Sequence, residues 1–182
     1  MSVVKKIFAR VPAYVIWLML SVALWGWIFG RITDTAAENK IVLFVDAYDV
    51  QDTALAVRLE EEKPEGIRMV QVHPFSYVLF QSETLLSADL YIIKESDAAD
   101  YLDSFLPLTE AAPDGWSLDG TPYGLLAYDA QTGQGAAADL ITYTLEGMPE
   151  ENYYLFFGAN SLHTGQVDDA AFRVAERLLS GP

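Results

Sequence analysis

The fold of this chain is decided by residues 40–72, which read KIVLFVDAYDVQDTALAVRLEEEKPEGIRMVQV. The run Lys40–Val45 joins β-branched and aromatic side chains without a polar interruption, which predicts a strand buried on both faces. A helix follows to about Glu62, and the breakers at 63–66 end it. Residues 67–72 predict a second strand. A strand, a helix and a strand in this length form a βαβ unit, so we expect two parallel strands joined by a right-handed crossover.

Strands and helices continue to alternate towards the C-terminus. Strands are predicted over 89–93, 123–128 and 153–158, and helices over 82–86, 96–105 and 168–179. Ser96 or Asp97 is expected to cap the second of these helices. We predict a loop over 109–121, a turn over 131–135, and either a short helix or a strand over 136–144. The alternation predicts an α/β fold, a three-layer sandwich with a mostly parallel sheet.

Residues 11–30 contain no charged side chain. About 20 residues of helix span the roughly 30 Å of bilayer hydrocarbon, so this segment predicts one N-terminal transmembrane helix. A cleavable signal peptide is the alternative, but its apolar region is shorter, and the small residues at 35–37 follow bulky ones. A core helix of a soluble protein is disfavoured, because the segment is apolar on all sides and has basic flanks.

Charge is divided unevenly along the chain, whose formal net charge is −15. Residues 1–31 hold four basic and no acidic side chains, whereas the rest holds seven basic side chains against all 26 acidic ones. Because basic flanks stay in the cytoplasm, we expect residues 1–10 inside the cell, 11–30 in the cell membrane, 31–39 as a stalk, and 40–182 as an extracellular α/β domain. Nucleic acid is excluded as a partner, since phosphate binding needs clustered Lys and Arg.

The order of these elements resembles a known family. Residues 41–45, the helix over 52–62, and the strands Gly66-Ile-Arg-Met-Val70 and Ala88-Asp-Leu-Tyr-Ile92 look like the first lobe of extracellular solute-binding proteins. These proteins have the type 2 periplasmic-binding-protein fold and feed ABC transporters. Residues 154–158, Asn160-Ser161 and the helix over 168–179 are similar to the family's return strand and final helix. A complete member has a second lobe between these parts, whereas only 111–151 intervene here, so the resemblance covers the first lobe only. A membrane anchor in place of a lipidated cysteine is a second difference.

Polar and aromatic side chains follow the predicted strands. In an open α/β sheet, ligands bind beyond the carboxyl ends of the strands, and the resemblance implies the same ligand face. The candidate ligand-binding residues are Asp46, Tyr48, Asp49, His73, Phe75, Ser76, Glu95, Ser96, Asn160 and His163. The alternative is that Asp49, Asp52 and Ser96 cap helices and that the aromatic rings pack at the rim.

Several kinds of chemistry lack a signature in this sequence. There is no cysteine, so thiolate metal sites, cysteine nucleophiles and disulfides are excluded. Asp46, Asp49 and Asp52 lack the glycine-centred loop of a calcium site, and His73 and His163 have no short-spaced ligand partner. No nucleophile elbow, zinc-protease helix or phosphate loop occurs. We therefore expect no enzyme, no metal and no cofactor.

The expected function is ligand or partner binding for transport or sensing. The protein would be a membrane-anchored extracytoplasmic domain resembling a truncated solute-binding protein, with a small solute, a transporter or another envelope protein as its partner. Two alternatives remain open. One is a non-catalytic structural or interaction protein of the cell envelope, and the other is a hydrolase with an unrecognised acidic site.

Overall fold

A computed structural model describes residues 11–33, 35–47, 49–50, 52–74, 83–135, 138, 141–142 and 150–180. The chain forms two compact units, which meet in sequence between Ala36 and Ala37. The first unit contains helix α1 (Val11–Thr33), in which none of the apolar segment Val11–Phe29 is buried. This helix is long and apolar enough to cross a membrane.

The second unit is an α/β domain, as predicted. A 3₁₀ turn (Ala37–Asn39) leads into β1 (Lys40–Val45), and the elements that follow are β2 (Asp49–Val50), α2 (Asp52–Glu61), β3 (Met69–Pro74), α3 (Glu83–Leu86), β4 (Leu90–Lys94), α4 (Glu95–Ala98) and a second 3₁₀ turn (Ala99–Ser104). The remaining elements are β5 (Trp116–Leu118), β6 (Thr121–Tyr128), β7 (Ile141–Thr142), β8 (Tyr153–Phe157) and α5 (Ala170–Leu179). Strand β1 coincides with its prediction, because an uninterrupted apolar run has clear ends.

Six of these strands form one mixed sheet in the order β3-β1-β4-β8-β6-β5. Strand β1 is parallel to both β3 and β4, which confirms the parallel pairing predicted for the βαβ unit. The mostly parallel sheet is not confirmed, because β8 is antiparallel to β4 and to β6, and β5 is antiparallel to β6. Three of the five pairings are therefore antiparallel.

Both faces of the sheet are covered by apolar side chains. On one face, α2 and α5 pack with alternate residues of β1, β4 and β8 in a core that includes Ile41, Leu55, Leu155 and Val174. On the other face, α3 and α4 pack with the intervening residues, among them Val42, Tyr91 and Phe156. All five residues of β8 are buried, and the strand lies between β4 and β6 within the sheet, so the strand predicted over 153–158 is confirmed.

Two local predictions are wrong for identifiable reasons. The expected helix over 96–105 is split into α4 and a 3₁₀ turn, and neither Ser96 nor Asp97 caps it. Instead, the carboxylate of Glu151, 55 residues further along the chain, accepts a hydrogen bond from the Ser96 backbone N–H at 3.0 Å. The expected loop over 109–121 contains β5, which forms a hairpin with β6 through Asp119 and Gly120. Both residues have positive φ, as a type I′ turn requires.

Candidate functional site

The predicted site residues are divided between opposite ends of the sheet. Asp46, Glu95 and Ser96 lie at the end where the parallel strands β1, β3 and β4 finish, which we call the carboxyl edge. Asn160 and His163 lie at the other end, the amino edge, because β8 is antiparallel to β4 and finishes beside its start. The structure therefore does not bring these two groups together.

The other predicted residues have different outcomes. His73 lies within β3 rather than after it, and its ring stands 5.3 Å from that of Phe44. Asp49 lies in β2, where it pairs with Thr142 of β7. Tyr48, Phe75 and Ser76 fall outside the described residues.

The carboxyl edge is an acidic cluster around one lysine. Lys94 Nζ is 3.1 Å from Asp97 Oδ2, and the Glu95 backbone N–H donates to the Asn152 carbonyl at 2.9 Å. Burial raises the pKa of the Asp46 carboxyl, and only Lys94 and a backbone hydrogen bond oppose this effect. The Oδ2 atom of Asp46 is buried without a hydrogen-bond partner among the described residues. A ligand here would have to offer Asp46 a hydrogen-bond donor or a positive charge.

The amino edge holds a buried hydrogen-bonded network centred on Asp89. Its Oδ2 accepts the Val42 backbone N–H at 2.7 Å, and its Oδ1 accepts the Ser161 hydroxyl at 2.5 Å. The Ser161 oxygen in turn accepts the His163 backbone N–H at 2.9 Å. The serine hydroxyl therefore faces a carboxylate and not the imidazole, so the three side chains do not form a nucleophilic triad.

The imidazole of His163 is held by two acceptors and is 1% exposed. Its Nδ1 is 2.9 Å from Asp168 Oδ1, and its Nε2 is 3.1 Å from the carbonyl oxygen of Ala37. A neutral imidazole has only one N–H to donate, so satisfying both acceptors requires the protonated ring. Burial alone would lower the pKa of His163, but the hydrogen bonds to Asp168 and Ala37, with the charges of Asp89 and Asp168, raise it. His163 is thus a hydrogen-bonded structural residue.

This arrangement predicts a pH-dependent stability. The charged groups around the ring are Asp168, Asp89 and, across a small cavity, Lys40. Because the folded pKa of His163 lies above the unfolded value near 6.5, its contribution is fully present below pH ~6.5 and is lost as pH rises through the folded pKa. We expect the free energy of unfolding to fall over that range by about 1.4 kcal/mol for each unit by which the pKa is raised.

Urea denaturation of the full chain in detergent, repeated from slightly acidic to alkaline pH, measures this slope. In the variant His163→Gln the free energy of unfolding should depend much less on pH. In His73→Gln, which replaces the other histidine, the dependence should be the same as in the wild type. A wild-type chain whose stability is unchanged across this pH range would contradict the protonated ring.

An apolar cleft lies on the α5 face of the sheet, where no site was predicted. Its volume is about 660 Å³, and its apolar lining includes Leu106, Leu108, Leu125, Phe157, Phe172 and Leu179. Leu125 on β6 and Phe157 on β8 form its floor, α5 forms one wall, and residues 106–110 form the other. Two backbone hydrogen bonds hold that second wall, from the Leu106 N–H to the Phe157 carbonyl and from the Leu108 N–H to the Pro122 carbonyl, each 2.8 Å long.

The rim of this cleft is polar and negatively charged. Thr109 and Glu110 stand on one side and Glu176 and Ser180 on the other, and the described lining residues include no Lys or Arg. No ion pair to either glutamate occurs in the described part of the chain. The cleft can therefore take an apolar body, and it favours one that carries positive charge.

Within the described ranges, no three His, Asp or Glu side chains are grouped as a metal ion would require. No protein-family model matches the chain, and no curated protein is significantly similar to it.

Proposed function

We propose that this protein is a membrane-anchored extracytoplasmic binding domain that holds an apolar ligand or partner segment in the α5 cleft, without covalent chemistry. Helix α1 would anchor it, and the basic residues before that helix would keep the N-terminus in the cytoplasm. The acidic domain would then stand outside the membrane. Two of the functions expected from the sequence are compatible with this role: ligand or partner binding, and a non-catalytic interaction protein of the cell envelope.

The cleft is the observation that carries this proposal. Its volume of about 660 Å³ falls within the ~300–1,000 Å³ of typical ligand sites, which are mostly apolar with a few polar groups at the rim. The hydrogen bonds from Leu106 and Leu108 pre-form one wall, which reduces the ordering cost of binding.

A second candidate function is solute binding at the carboxyl edge, as the family resemblance implies. The buried and unpartnered Oδ2 of Asp46 favours it. One observation disfavours it. The backbone N–H groups of Ser96 and Glu95 already donate to Glu151 and to the Asn152 carbonyl, so neither is free to bind a solute. We rank the apolar cleft first, because all of its lining residues lie within the described part of the chain.

The absence of cysteine from the natural chain allows a direct test. In the full chain, Ser180→Cys places one thiol at the cleft rim, and Gln131→Cys places one in an exposed turn at the carboxyl edge. On intact cells, a membrane-impermeant maleimide should label both variants. A thiol-reactive photo-crosslinker should then yield a discrete adduct from Ser180→Cys that Gln131→Cys lacks.

A matched pair of second substitutions tests whether the adduct depends on the cleft. Leu179→Lys puts a positive charge on the apolar α5 wall, and Val57→Lys puts the same charge on α2, where Val57 is already 53% exposed. The adduct should disappear with Leu179→Lys and persist with Val57→Lys. Labelling only after the cells are opened would overturn the orientation, and equal adducts at both cysteines would overturn the cleft as the binding site.

A further inference from the structure

Among the described residues, the helices on the cleft face do not extend to the β5 edge of the sheet. On this face α2 packs on β3, and α5 packs on β8. Strands β6 and β5 lie beyond β8 in the sheet order. Within the described ranges no helix covers β6 on this side, and Leu125 of β6 faces the cleft instead.

The region that no described helix covers has the width of one more helix. Neighbouring strands are about 4.8 Å apart, so β6 and β5 together span about 10 Å. Packed helices lie 8–10 Å apart, so a helix placed beside α5 would rest over these two strands. Leu125 on the floor and Leu108 on the wall would meet the apolar stripe of such a helix.

The charge of the rim selects the polar residues of that helix. Glu110 and Glu176 stand on opposite walls of the cleft, and neither has an ion-pair partner among the described residues. Basic side chains that flank an apolar stripe would reach both carboxylates. A second copy of this domain is a poor match, because residues 32–182 hold seven basic side chains against 26 acidic ones.

We propose that the cleft binds an amphipathic helix of another protein, with basic residues on both sides of its apolar stripe, in the helix position beside α5. This inference rests on the proposed function and names its partner class. In this arrangement the apolar lining supplies most of the binding free energy. Glu110 and Glu176 make the cleft select basic helices over acidic ones.

Defined peptides test this inference on the full chain. Ser180→Cys carries an environment-sensitive fluorophore, and the protein is placed in nanodiscs of phosphatidylcholine, whose zwitterionic surface has no net charge to attract basic peptides. Three synthetic peptides of equal length are titrated: one with a leucine stripe flanked by lysines, one with glutamates in place of the lysines, and one with the lysine peptide's composition scrambled to remove the stripe. We expect a saturable fluorescence change with the first peptide only.

Variants of the chain then separate the two contributions. Removing both rim charges by Glu110→Gln with Glu176→Gln should weaken the lysine peptide about three- to tenfold, since exposed ion pairs are individually weak. Leu179→Lys should abolish the response, and Val57→Lys should leave it unchanged. Equal affinity for the lysine and glutamate peptides would overturn the charge selection.

Failure of this inference is distinguishable from failure of the proposed function. If no peptide binds while the Ser180→Cys adduct still forms and depends on Leu179, the cleft is a binding site and the helix is overturned as its occupant. A saturable response to dodecyltrimethylammonium without any peptide response replaces the helix with a small cationic amphiphile. Concentration-dependent self-association that Leu179→Lys removes identifies a second copy as the occupant and likewise overturns the inference.

Discussion

Replacing Asp89 with alanine is expected to lower the free energy of unfolding of the α/β domain by about 2–6 kcal/mol, because two buried donors lose their acceptor and each such loss costs about 1–3 kcal/mol. Asp89 is 4% exposed and accepts hydrogen bonds from the Val42 backbone and the Ser161 hydroxyl. Its negative charge also helps to raise the pKa of His163. Alanine would leave these two donors without an acceptor and would remove one of the two carboxylates that raise the pKa of His163.

A graded series separates the hydrogen bonds from the charge. Asp89→Asn retains one acceptor oxygen, so it should cost clearly less than Asp89→Ala. Asp103→Ala removes an exposed aspartate from the second 3₁₀ turn and should change stability by no more than about 0.5 kcal/mol. Urea denaturation of the full chain in detergent measures all three. If Asp89→Ala is as mild as Asp103→Ala, the network at the amino edge does not hold the domain together.

Gly158→Ala is the second substitution with a large expected effect, about 3 kcal/mol or more. A Cβ at this position would lie 1.9 Å from the backbone oxygen of Ala88, which cannot rotate away as the end of a side chain can. Gly158 follows β8 directly, donates its N–H to the Asp89 carbonyl at 2.9 Å and forms a bridge with Phe105. Relief of the clash would therefore have to separate β8 from the start of β4.

The same substitution at Gly26 is a matched control. A Cβ there meets nothing within 4 Å beyond the helix's own backbone, so Gly26→Ala in α1 should leave the unfolding of the domain unchanged. Amide hydrogen exchange localises the effect of Gly158→Ala, because protection should fall first along β8 and β4. Retained protection in both strands would show that an alanine Cβ fits between Gly158 and the Ala88 carbonyl without separating β8 from β4.

The elements predicted best are those whose signal is local. Strand β1 is a largely apolar run closed by Asn39 and Asp46, and its parallel pairing with β3 follows from the helix between them, which returns the chain to the end of the sheet where β1 begins. The hairpin of β5 and β6 also had a local signal, since Asp119-Gly120 is a typical type I′ pair. It was missed because β5 has only three residues and lies in a segment rich in turn residues.

The direction of β8 could not be predicted. Its five residues Tyr153–Phe157 are all buried, so both faces of the strand are apolar and the pattern has no polarity along the chain. Only the antiparallel pairing of β8 with β4 shows that the two strands run in opposite directions, and this direction places Asn160 and His163 at the amino edge. A site prediction based on strand ends therefore mixed two opposite ends of the sheet.

The amino-acid sequence by itself determined an apolar N-terminal helix long enough to cross a membrane, an α/β domain with a strong negative charge, and the central parallel pair. These are properties of contiguous residues, set by hydropathy, periodicity and the handedness of the backbone. The tertiary structure alone decided the apolar cleft and the network around Asp89. Leu108, Leu125 and Leu179 meet at the cleft from distant parts of the chain, and Val42, Asp89 and Ser161 meet likewise in the network. Such sites depend on the order and direction of strands, which the packing of the whole sheet selects.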